Sequence, residues 1–522
     1  MRSSCRSIEL AFFKWLPQVK HSENFKLRNI DVMEVQSALK KLKSKKATGV
    51  DNIPAQLLKS GAEALAAPLT FIYNITIQQN KIPAEWKKAK VTPLHKSGVK
   101  DDPKNYRPIS VLPVVSKVLE RQIHKQLLGY FDKYNLLCKL QSGFRKQHST
   151  ETAVTFFTDE ILMNMDNGLT FDTVNHSTLI HKLKQYGVCD ESLQWFQDYF
   201  SGRKQFVCID SQLSEELPIT SGVPQGSILG PLLFIVYIND LPNCMKNCSV
   251  NMYADDTALY LGGQTVDEIN NSINGDLVRL AEWLQDNKLV LNFSKTKCLL
   301  FTSQRHKEHN NNLNLNLLRN SLCIETTFKY LGVVFDNFMT WRAHADYVCK
   351  KVATRVNILG RIRGCVTKKA AVLVYNTIIL SIFDYCDIAW SSLLQQDKDR
   401  LQRLQHRSAR IITRCARSVD AMEGLRRPVL ALRRSYHKVK LVFLCLQSLV
   451  LGCFLSYFSR FSSIHRYNTR HSNKLSLPIV KRKFGKNSFI FSGANLYNNL
   501  PSNLVVTNNL QVFTRLAKLH FF

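Results

Sequence analysis

Short apolar runs separated by polar positions predict the main elements of this chain. Apolar residues flank residues 253–256, Tyr-Ala-Asp-Asp, on both sides, in residues 249–252 and 257–260. This pattern predicts two strands joined by a tight turn. Residues 232–238 are apolar without interruption, and they predict a buried helix.

Two longer apolar patterns lie in the C-terminal half. Residues 341–363 place apolar side chains at helical spacing and predict an amphipathic helix. The residues on its buried face are Val348, Val352, Val356 and Leu359. Residues 441–458 carry no charged side chain, which is typical of either a transmembrane segment or a buried helix. Because Gln447, Ser448 and Ser456 interrupt the run and the surrounding chain is basic, we favour a buried helix.

Asp255 and Asp256 are adjacent carboxylates within an apolar hairpin, and such a pair needs a partner. Two unit charges about 4 Å apart repel by about 4 kcal/mol at an effective dielectric constant of roughly 20. A divalent cation removes this cost, and carboxylate oxygens suit Mg²⁺. On a flat strand the two side chains would point to opposite faces, so a bend is needed before both address one metal site. An acidic turn between two strands, without a metal, is the alternative.

A second motif precedes the hairpin. Residues 221–231, Ser-Gly-Val-Pro-Gln-Gly-Ser-Ile-Leu-Gly-Pro, are rich in glycine and proline, which is typical of a backbone that a large ligand approaches closely. In this order, the Pro-Gln-Gly loop and the Tyr-Ala-Asp-Asp turn resemble the reverse transcriptases of non-LTR (LINE-type) retrotransposons, in particular the jockey and CR1-like branch. The two motifs together are far more specific than either one alone.

The resemblance extends over most of residues 40–340. The further matching segments are residues 45–54 (start of the fingers), 86–96 and 105–110 (fingers hairpin), 141–150 (template contact), 284–301 (palm) and 328–333 (palm and primer grip). In polymerases of this kind, basic side chains of the fingers hold the incoming triphosphate, and Lys96 and Arg107 match those positions. An arginine fork suits bidentate phosphate contacts, and a lysine acts as a point charge. Two solvated cations on a turn are the alternative.

The first palm strand departs from the family pattern, in which apolar residues and an aspartate precede a short stretch and then Phe-Asp-Thr-Val-Asn-His. Residues 171–176 match the end of that pattern, and Phe171 matches the aromatic residue that excludes a ribose 2′-hydroxyl. The metal-binding aspartate should lie five residues earlier, where Asp166 stands. Residues 161–168 instead have the pattern of a helix end capped by Asn-Gly. We therefore hypothesise that one strand is deleted, in which case Asp166 holds the spacing by coincidence and the third metal ligand is missing.

The composition favours a nucleic-acid partner. The chain has 71 Lys and Arg against 40 Asp and Glu, a formal net charge of +31. A field of this sign binds polyanions, and affinity that depends on phosphate neutralisation falls steeply with salt. The basic residues of segments 341–363 and 400–417 are therefore candidates to follow a template–primer backbone. Six arginines are spaced to share one helical face, namely Arg400, Arg403, Arg407, Arg410, Arg414 and Arg417. An anionic membrane or a solvated basic face is the alternative, and the polymerase motifs favour nucleic acid.

Cysteine spacing and the N-terminal sequence give weaker constraints. Cys244 and Cys248 form a close pair without a nearby histidine or second cysteine pair, so no zinc site is expected. Glu9 and Lys14 interrupt the first apolar segment, so no signal peptide is expected. The expected location is intracellular, in the nucleus or the cytoplasm, without a membrane partner.

We expect a chain of mixed α/β class with the architecture of a right-hand polymerase, whose palm is α+β. The predicted division is a leader without an assignable domain (1–39), fingers and palm (40–335), a helical thumb-like region (336–420) and a C-terminal extension (421–522). Residues 491–501 resemble the tail that follows the polymerase in this retrotransposon branch. Nothing before Lys40 resembles the endonuclease that usually precedes it, so we interpret the chain as a piece of a longer element-encoded protein.

The resemblance implies an RNA-directed DNA polymerase that transfers a nucleotide from a deoxynucleoside triphosphate to a primer 3′-hydroxyl. Its partners would be an RNA template and a DNA primer. Mg²⁺, with Mn²⁺ as the alternative ion, would be held by Asp255, Asp256 and Asp166. The nucleotide-binding residues would be Lys96, Arg107, Phe171, Gln225, Gly226 and Tyr253. Two alternatives stay open: a catalytically inactive remnant that binds RNA, and a protein similar to group II intron maturases, which share the Ala-Asp-Asp turn.

Overall fold

The computed structural model describes residues 14–16, 23–96, 98–145, 148–163, 168–170, 175–293, 295–302, 313–450, 454, 456–464, 473–480 and 483–522. The chain divides into two compact units, each built from segments that are separated in the sequence. Unit 1 comprises Met1–Phe144, Phe171–Lys246 and Val278–Leu291, and unit 2 comprises Arg145–Thr170, Asn247–Leu277 and Asn292–Phe522. The linear division into leader, fingers and palm, thumb and extension stays a prediction.

Helices and strands alternate along the described residues, which confirms the predicted α/β class. The α-helices are α1 (Val32–Lys40), α2 (Ala55–Ser60), α3 (Ala62–Gln78), α4 (Val114–Lys133), α5 (Thr150–Met163), α6 (His176–Gln185), α7 (Asp190–Phe200), α8 (Leu229–Tyr237), α9 (Val266–Asp286), α10 (Arg342–Ile362), α11 (Lys368–Val374), α12 (Ser381–Asp384), α13 (Gln395–Thr413), α14 (Ser418–Gly424), α15 (Leu430–Leu446), α16 (Phe461–Ile464), α17 (Lys483–Asn487), α18 (Phe489–Asn498), α19 (Ser502–Val505) and α20 (Leu510–Phe521). A π-helical segment, Tyr375–Leu380, joins α11 to α12.

The strands form separate sheets in the two units. They are β1 (Lys88–His95), β2 (Tyr106–Val111), β3 (Gly168–Thr170), β4 (Lys204–Ile209), β5 (Gln212–Leu213), β6 (Leu217–Pro218), β7 (Ser249–Tyr253), β8 (Asp256–Tyr260), β9 (Asn316–Leu317), β10 (Asn320–Ser321), β11 (Thr327–Tyr330) and β12 (Val333–Asp336). In unit 1 the order is β2-β1-β4-β5, and β6 also pairs with β4. In unit 2, β3-β8-β7 form one sheet, while β9 pairs with β10 and β11 pairs with β12.

Three predicted elements are confirmed. β1 and β2 form the antiparallel hairpin predicted for the fingers, and α8 is the predicted buried helix. The helix predicted over 341–363 is α10, and all four of its predicted core residues are buried. They belong to a hydrophobic core of unit 2 that also contains Ala258 and Tyr260 of β8. Periodicity predicted this helix well because its apolar face packs against that core.

The uncharged run of residues 441–458 contributes buried side chains as predicted, but it is not one helix. α15 ends at Leu446, and Gln447 caps it with an N–H bond to the carbonyl of Phe443 (3.1 Å). The helix end was missed because an unbroken apolar run carries no signal for the turn that follows. No helix within the described residues is long and apolar enough to cross a membrane.

One further prediction was wrong, and another falls partly outside the described residues. The arginine row is not one helical face, because α13 ends at Thr413, Arg414 has a left-handed φ of 62°, and Arg417 only precedes α14. The predicted Asn-Gly cap of the helix before the palm strand stays a prediction, since α5 is described as far as Met163 and the next described residue is Gly168, at the start of β3. The intervening residues 164–167 lie outside the described part of the chain.

The C-terminal residues pack against α5 within unit 2. The ring of Phe156 lies 5.9 Å from that of Phe454 and 6.2 Å from that of Tyr457, measured between centroids. The buried carboxylate of Asp159 accepts hydrogen bonds from the backbone N–H groups of Phe489 (2.6 Å) and Ile490 (2.9 Å). These N–H groups lie in the first turn of α18, where they have no partner within the helix. Residues from both ends of unit 2 therefore share one core.

Unit 2 is expected to lose stability as the pH rises from about 4 to about 7. Burial raises the pKa of Asp159 from 3.8 to about 7. The folded state therefore holds this proton more tightly than the unfolded state, and the resulting stability disappears as the pH rises through the folded pKa. At about 1.4 kcal/mol per pKa unit, the effect is on the order of a few kcal/mol.

Urea unfolding at a series of pH values measures this dependence. Asp159→Asn is expected to flatten the slope, whereas Asp399→Asn, at an exposed carboxylate, should keep it. Some slope should remain, because burial also raises the pKa of Glu151 to about 7. Equal slopes in the three proteins would contradict the role of Asp159.

Candidate functional site

The predicted acidic hairpin of unit 2 is present. Tyr253 pairs with Asp256 across β7 and β8, so Ala254 and Asp255 form a two-residue turn. Ala254 has a φ of 54°, a left-handed conformation that a residue other than glycine adopts only where the surroundings hold it. Behind the turn, the buried side chain of Asn251 donates to the carbonyl of Ala153 in α5 (3.3 Å). The bend therefore places both carboxylates at one end of the sheet.

The two carboxylates differ in environment. Asp255 is exposed and Asp256 is half-buried. Tyr253, also half-buried, has its pKa raised by burial. The pKa of the buried Tyr330 is raised by burial and further by the negative charge of Asp256. Two carboxylates at the tip of a hairpin are oxygen donors of the kind that a hard divalent cation binds, and its remaining ligands would come from water or substrate.

β3 lies at the edge of the same sheet. It pairs with β8 in the register Gly168↔Ala258 and Thr170↔Asp256, so its C-terminal end meets the acidic turn. Asp166 and Phe171, the two predicted site residues on either side of β3, lie outside the described residues. The deletion of a strand before Phe171 stays a prediction.

A basic cavity of 440 Å³ adjoins Asp256 within unit 2. Its charged lining comes from two further segments: Lys295 and Lys297, which follow α9, and Glu325 and Lys329, which lie in or beside β11. Glu325 is ion-paired with Lys297 (2.9 Å). The predicted primer-grip segment 328–333 therefore shares a cavity with Asp256, as far as residue 331.

Sequence reasoning assigned segment 284–301 to the palm but gave no role to its lysines. The sequence feature that could have indicated them is a polar stretch, Asn-Phe-Ser-Lys-Thr-Lys, between two apolar runs.

A second group that the sequence did not reveal is Tyr347, whose hydroxyl accepts hydrogen bonds from Lys329 and Lys351, each at 3.1 Å. These two ammonium groups lower the pKa of Tyr347. Lys329 lies in β11 and Lys351 in α10, so only the tertiary structure shows that both contact Tyr347.

In unit 1, the fingers hairpin brings Lys96 and Arg107 together. Arg107 lies opposite Leu94 in the ladder, and the N–H of Lys96 donates to the carbonyl of Asn105 (2.8 Å). Cross-strand partners and alternate residues share a face of a sheet. Lys96 and Arg107 are therefore diagonal neighbours on one face, and both are exposed, as a pair of phosphate-binding cations would have to be.

The Pro-Gln-Gly loop contacts the same hairpin. The N–H of Ser110 in β2 donates to the carbonyl of Gln225 (2.7 Å). Gly226 has a φ of 132°, and a Cβ at this position would lie 2.2 Å from the carbonyl oxygen of Ser110. Only glycine fits here. The loop residues Gln225 and Gly226 thus contact the hairpin that also carries Lys96 and Arg107 in unit 1, while Tyr253, Asp255 and Asp256 lie at one turn in unit 2.

Comparison with known proteins identifies the family of this chain. Residues 94–335 match the family model described as reverse transcriptase (RNA-dependent DNA polymerase). The chain is 30% identical over 418 residues to the probable RNA-directed DNA polymerase from transposon BS of Drosophila melanogaster, covering 74% of this chain and 45% of that protein. It is 28% identical over 349 residues to the RNA-directed DNA polymerase from mobile element jockey of Drosophila melanogaster, covering 63% and 38%.

The chain contains a reverse transcriptase domain of the non-LTR retrotransposon type. This confirms the predicted family, whose enzymes are in general dependent on a divalent metal. The chain spans about half the length, or less, of the curated relatives it matches. A relative of the R1 type from the same fly is 27% identical over 346 residues, so the match is not confined to one element.

A second basic surface lies beyond the reverse transcriptase match, on α10 and α13. The two helices border a groove of 690 Å³, which we call the arginine groove. Its cationic lining residues are Lys350, Arg400, Arg403, Arg407 and Arg410. Arg400 is already ion-paired with Asp346 (2.7 Å) and Asp397 (2.9 Å). Arg403 and Arg410 are exposed, so they are the better candidates for contacts with phosphates.

One cluster elsewhere in the described residues has the side chains for a metal: Asp384, Asp387 and His437. The guanidinium of Arg433 donates to both oxygens of Asp384 (2.5 and 2.7 Å). His437 Nδ1 lies 2.8 Å from Asp387, and this contact helps to raise the pKa of His437. These protein cations already offset the two carboxylates, so we assign no metal here.

Proposed function

We propose that this chain is the polymerase part of a non-LTR retrotransposon protein, of the RNA-directed DNA polymerase type. Such enzymes extend a DNA primer on an RNA template with deoxynucleoside triphosphates, and whether this copy does so depends on a third metal ligand. The observation that carries the proposal is the exposed acidic turn at the end of β7 and β8, beside a lysine-lined cavity. Asp255 and Asp256, with Asp166 or an equivalent, would hold Mg²⁺ or Mn²⁺. When bound, such ions stabilise the attacking and leaving oxygens of an in-line phosphoryl transfer.

The protein side chains would position and neutralise the substrates. Lys96 and Arg107, exposed on one face of the fingers hairpin, would hold the triphosphate, whose charge they offset. The backbone at Gln225 and Gly226 would form one wall of the nucleotide pocket. By resemblance to the family, Tyr253 would also contribute to nucleotide binding. Phe171 would exclude a ribose 2′-hydroxyl by contact with the sugar.

The lysine-lined cavity would receive the primer strand. Lys295 and Lys329 line it together with Asp256, so their ammonium groups would lie near phosphates of a primer whose 3′-end reaches the acidic turn. The arginine groove would follow the template–primer duplex, whose A-form geometry is recognised through its backbone. Template, primer and nucleotide would then all meet basic surfaces, in keeping with the net charge of +31.

A second candidate function is RNA binding without catalysis. The specific observation in its favour is that α5 is helical as far as Met163, at positions where the family pattern has an apolar strand leading to the metal-binding aspartate. A chain that lacks this carboxylate would keep its basic surfaces and lose the metal site. Such a remnant would bind template and primer but would not join nucleotides.

Primer extension separates the two candidates. The assay uses purified protein, poly-rA with an oligo-dT primer, dTTP, and either Mg²⁺ or Mn²⁺, with Asp255→Ala as the matched control. We expect the unmodified chain to extend no faster than Asp255→Ala, because α5 continues to Met163, where an apolar strand should lead to the third carboxylate. Extension that Asp255→Ala abolishes would show that this copy is an active polymerase. Tight RNA binding with equal background extension in both proteins would support the remnant.

A further inference from the structure

A buried glutamate holds the end of the Pro-Gln-Gly loop in unit 1. Glu120 lies on α4 and is 1% exposed. Its Oε2 accepts hydrogen bonds from the N–H groups of Ile228 (2.6 Å) and Leu229 (3.2 Å). Ile228 and Leu229 form the start of α8, which follows the loop directly. The carboxylate thus satisfies N–H groups that have no partner within the helix.

Burial of this carboxylate is costly, and a second buried charge offsets the cost. Arg203 is 2% exposed, its guanidinium lies over the ring of Tyr199 (4.6 Å), and its Nη1 donates to the carbonyl of Tyr199 (2.9 Å). Burial raises the pKa of Glu120, while the two backbone N–H groups and the charge of Arg203 act in the opposite direction. Buried charges are retained where such partners compensate for lost hydration.

The rest of the loop is fixed at other points. Near its start, His176 Nε2 lies 2.7 Å from the carbonyl oxygen of Gly222, and the His176 ring stacks on Phe200 at 4.5 Å. In its middle, Ser110 binds the carbonyl of Gln225. At its end, Ser227 Oγ donates to the carbonyl of Pro224 (3.0 Å) and accepts from the N–H of Gly230 (3.0 Å). Glu120 completes this set from a different helix.

We propose that Glu120, with Arg203 beside it, is a positioning residue that keeps Gln225 and Gly226 in the shape required by the nucleotide pocket. The proposal rests on the proposed function for the identity of the ligand. Gly226 is held against β2 at a distance that tolerates no Cβ, so a small shift of α8 would move the wall of the pocket. A single acceptor that fixes the start of α8 prevents that shift. Preorganisation of this kind lowers the cost of binding the substrate.

Hydrogen exchange of the full-length protein, followed by mass spectrometry, tests the positioning directly. Glu120→Ala is expected to accelerate exchange in residues 221–231 by about tenfold or more, because both hydrogen bonds that hold the start of α8 are lost. Glu120→Gln keeps one carbonyl acceptor and should retain most of the protection. Exchange in β7 and β8 should not change in either variant.

Asp276 provides a matched control in unit 2. Its carboxylate is also buried and accepts from two backbone N–H groups, those of Asn247 (2.8 Å) and Cys248 (2.6 Å). Asp276→Ala should accelerate exchange around residues 247–248 and leave residues 221–231 unchanged. Unchanged exchange of residues 221–231 in Glu120→Ala, or equally fast exchange in Glu120→Gln, would overturn the proposal.

Nucleotide binding separates this inference from the proposed function. With template–primer present, dTTP should slow exchange of residues 221–231 in the unmodified protein, and Glu120→Ala should require about tenfold more dTTP for the same protection. The affinity for template–primer should stay the same. If dTTP gives no protection in the unmodified protein, the proposed function fails, while the nucleotide-free comparison still decides whether Glu120 holds the loop. An unchanged dTTP requirement in Glu120→Ala would overturn the positioning role.

Discussion

Insertion of an apolar strand with an aspartate five residues before Phe171 is expected to create primer-extension activity on poly-rA with an oligo-dT primer. The reason is that the acidic turn supplies carboxylates from one hairpin only, whereas the neighbouring strand should supply the third. β3 already pairs with β8, and its Thr170 lies opposite Asp256, so an inserted strand would have a partner with which to pair. The rate should rise from background by orders of magnitude.

The matched control is the same insertion with asparagine in place of aspartate, which keeps the strand and removes the charge. It should remain at the background of Asp255→Ala. The opposite result would be strong extension by the unmodified chain that Asp166→Ala abolishes. That result would identify Asp166 as a metal ligand and would contradict the hypothesis that a strand is deleted.

Affinity for an RNA–DNA hybrid should fall by orders of magnitude between low and physiological salt. The formal charge of +31 and the arginine groove imply several phosphate contacts, and each one releases counterions on binding. The double variant Asp255→Ala with Asp256→Ala should bind with nearly unchanged affinity, because these carboxylates serve chemistry and not attachment. Fluorescence anisotropy across a salt series measures both effects. Salt-independent binding would contradict the proposal.

The arginine groove can be tested separately by the slope of log affinity against log salt. Arg403→Gln with Arg410→Gln should lower the slope by about 0.9 for each phosphate contact that is lost. Arg417→Gln is the matched control, since the guanidinium of Arg417 is ion-paired with Asp420 (2.9 Å) outside the groove. A slope that falls equally in both proteins would assign the effect to total charge and not to the groove.

The sequence alone determined the local elements and the family. The acidic hairpin, the fingers hairpin, α8 and α10 were all predicted, because alternation, helical periodicity and turn residues act between residues that are close in the chain. Because these sequence signals are local, they did not predict where every helix ends. The end of α15 at Leu446 and the left-handed Arg414 were missed, since neither an apolar run nor a row of arginines carries a clear stop signal.

The tertiary structure decided which distant groups meet. Glu120 binds the start of α8, 108 residues further along the chain, and Asp159 binds the start of α18, which is 330 residues away. The same holds for the lysines of the cavity beside Asp256 and for the closeness of Gly226 to Ser110. Such contacts depend on how whole elements pack, and a buried acceptor can satisfy any nearby N–H group, so sequence spacing does not specify them. The sequence therefore determined which motifs are present, and packing determined which side chains support them.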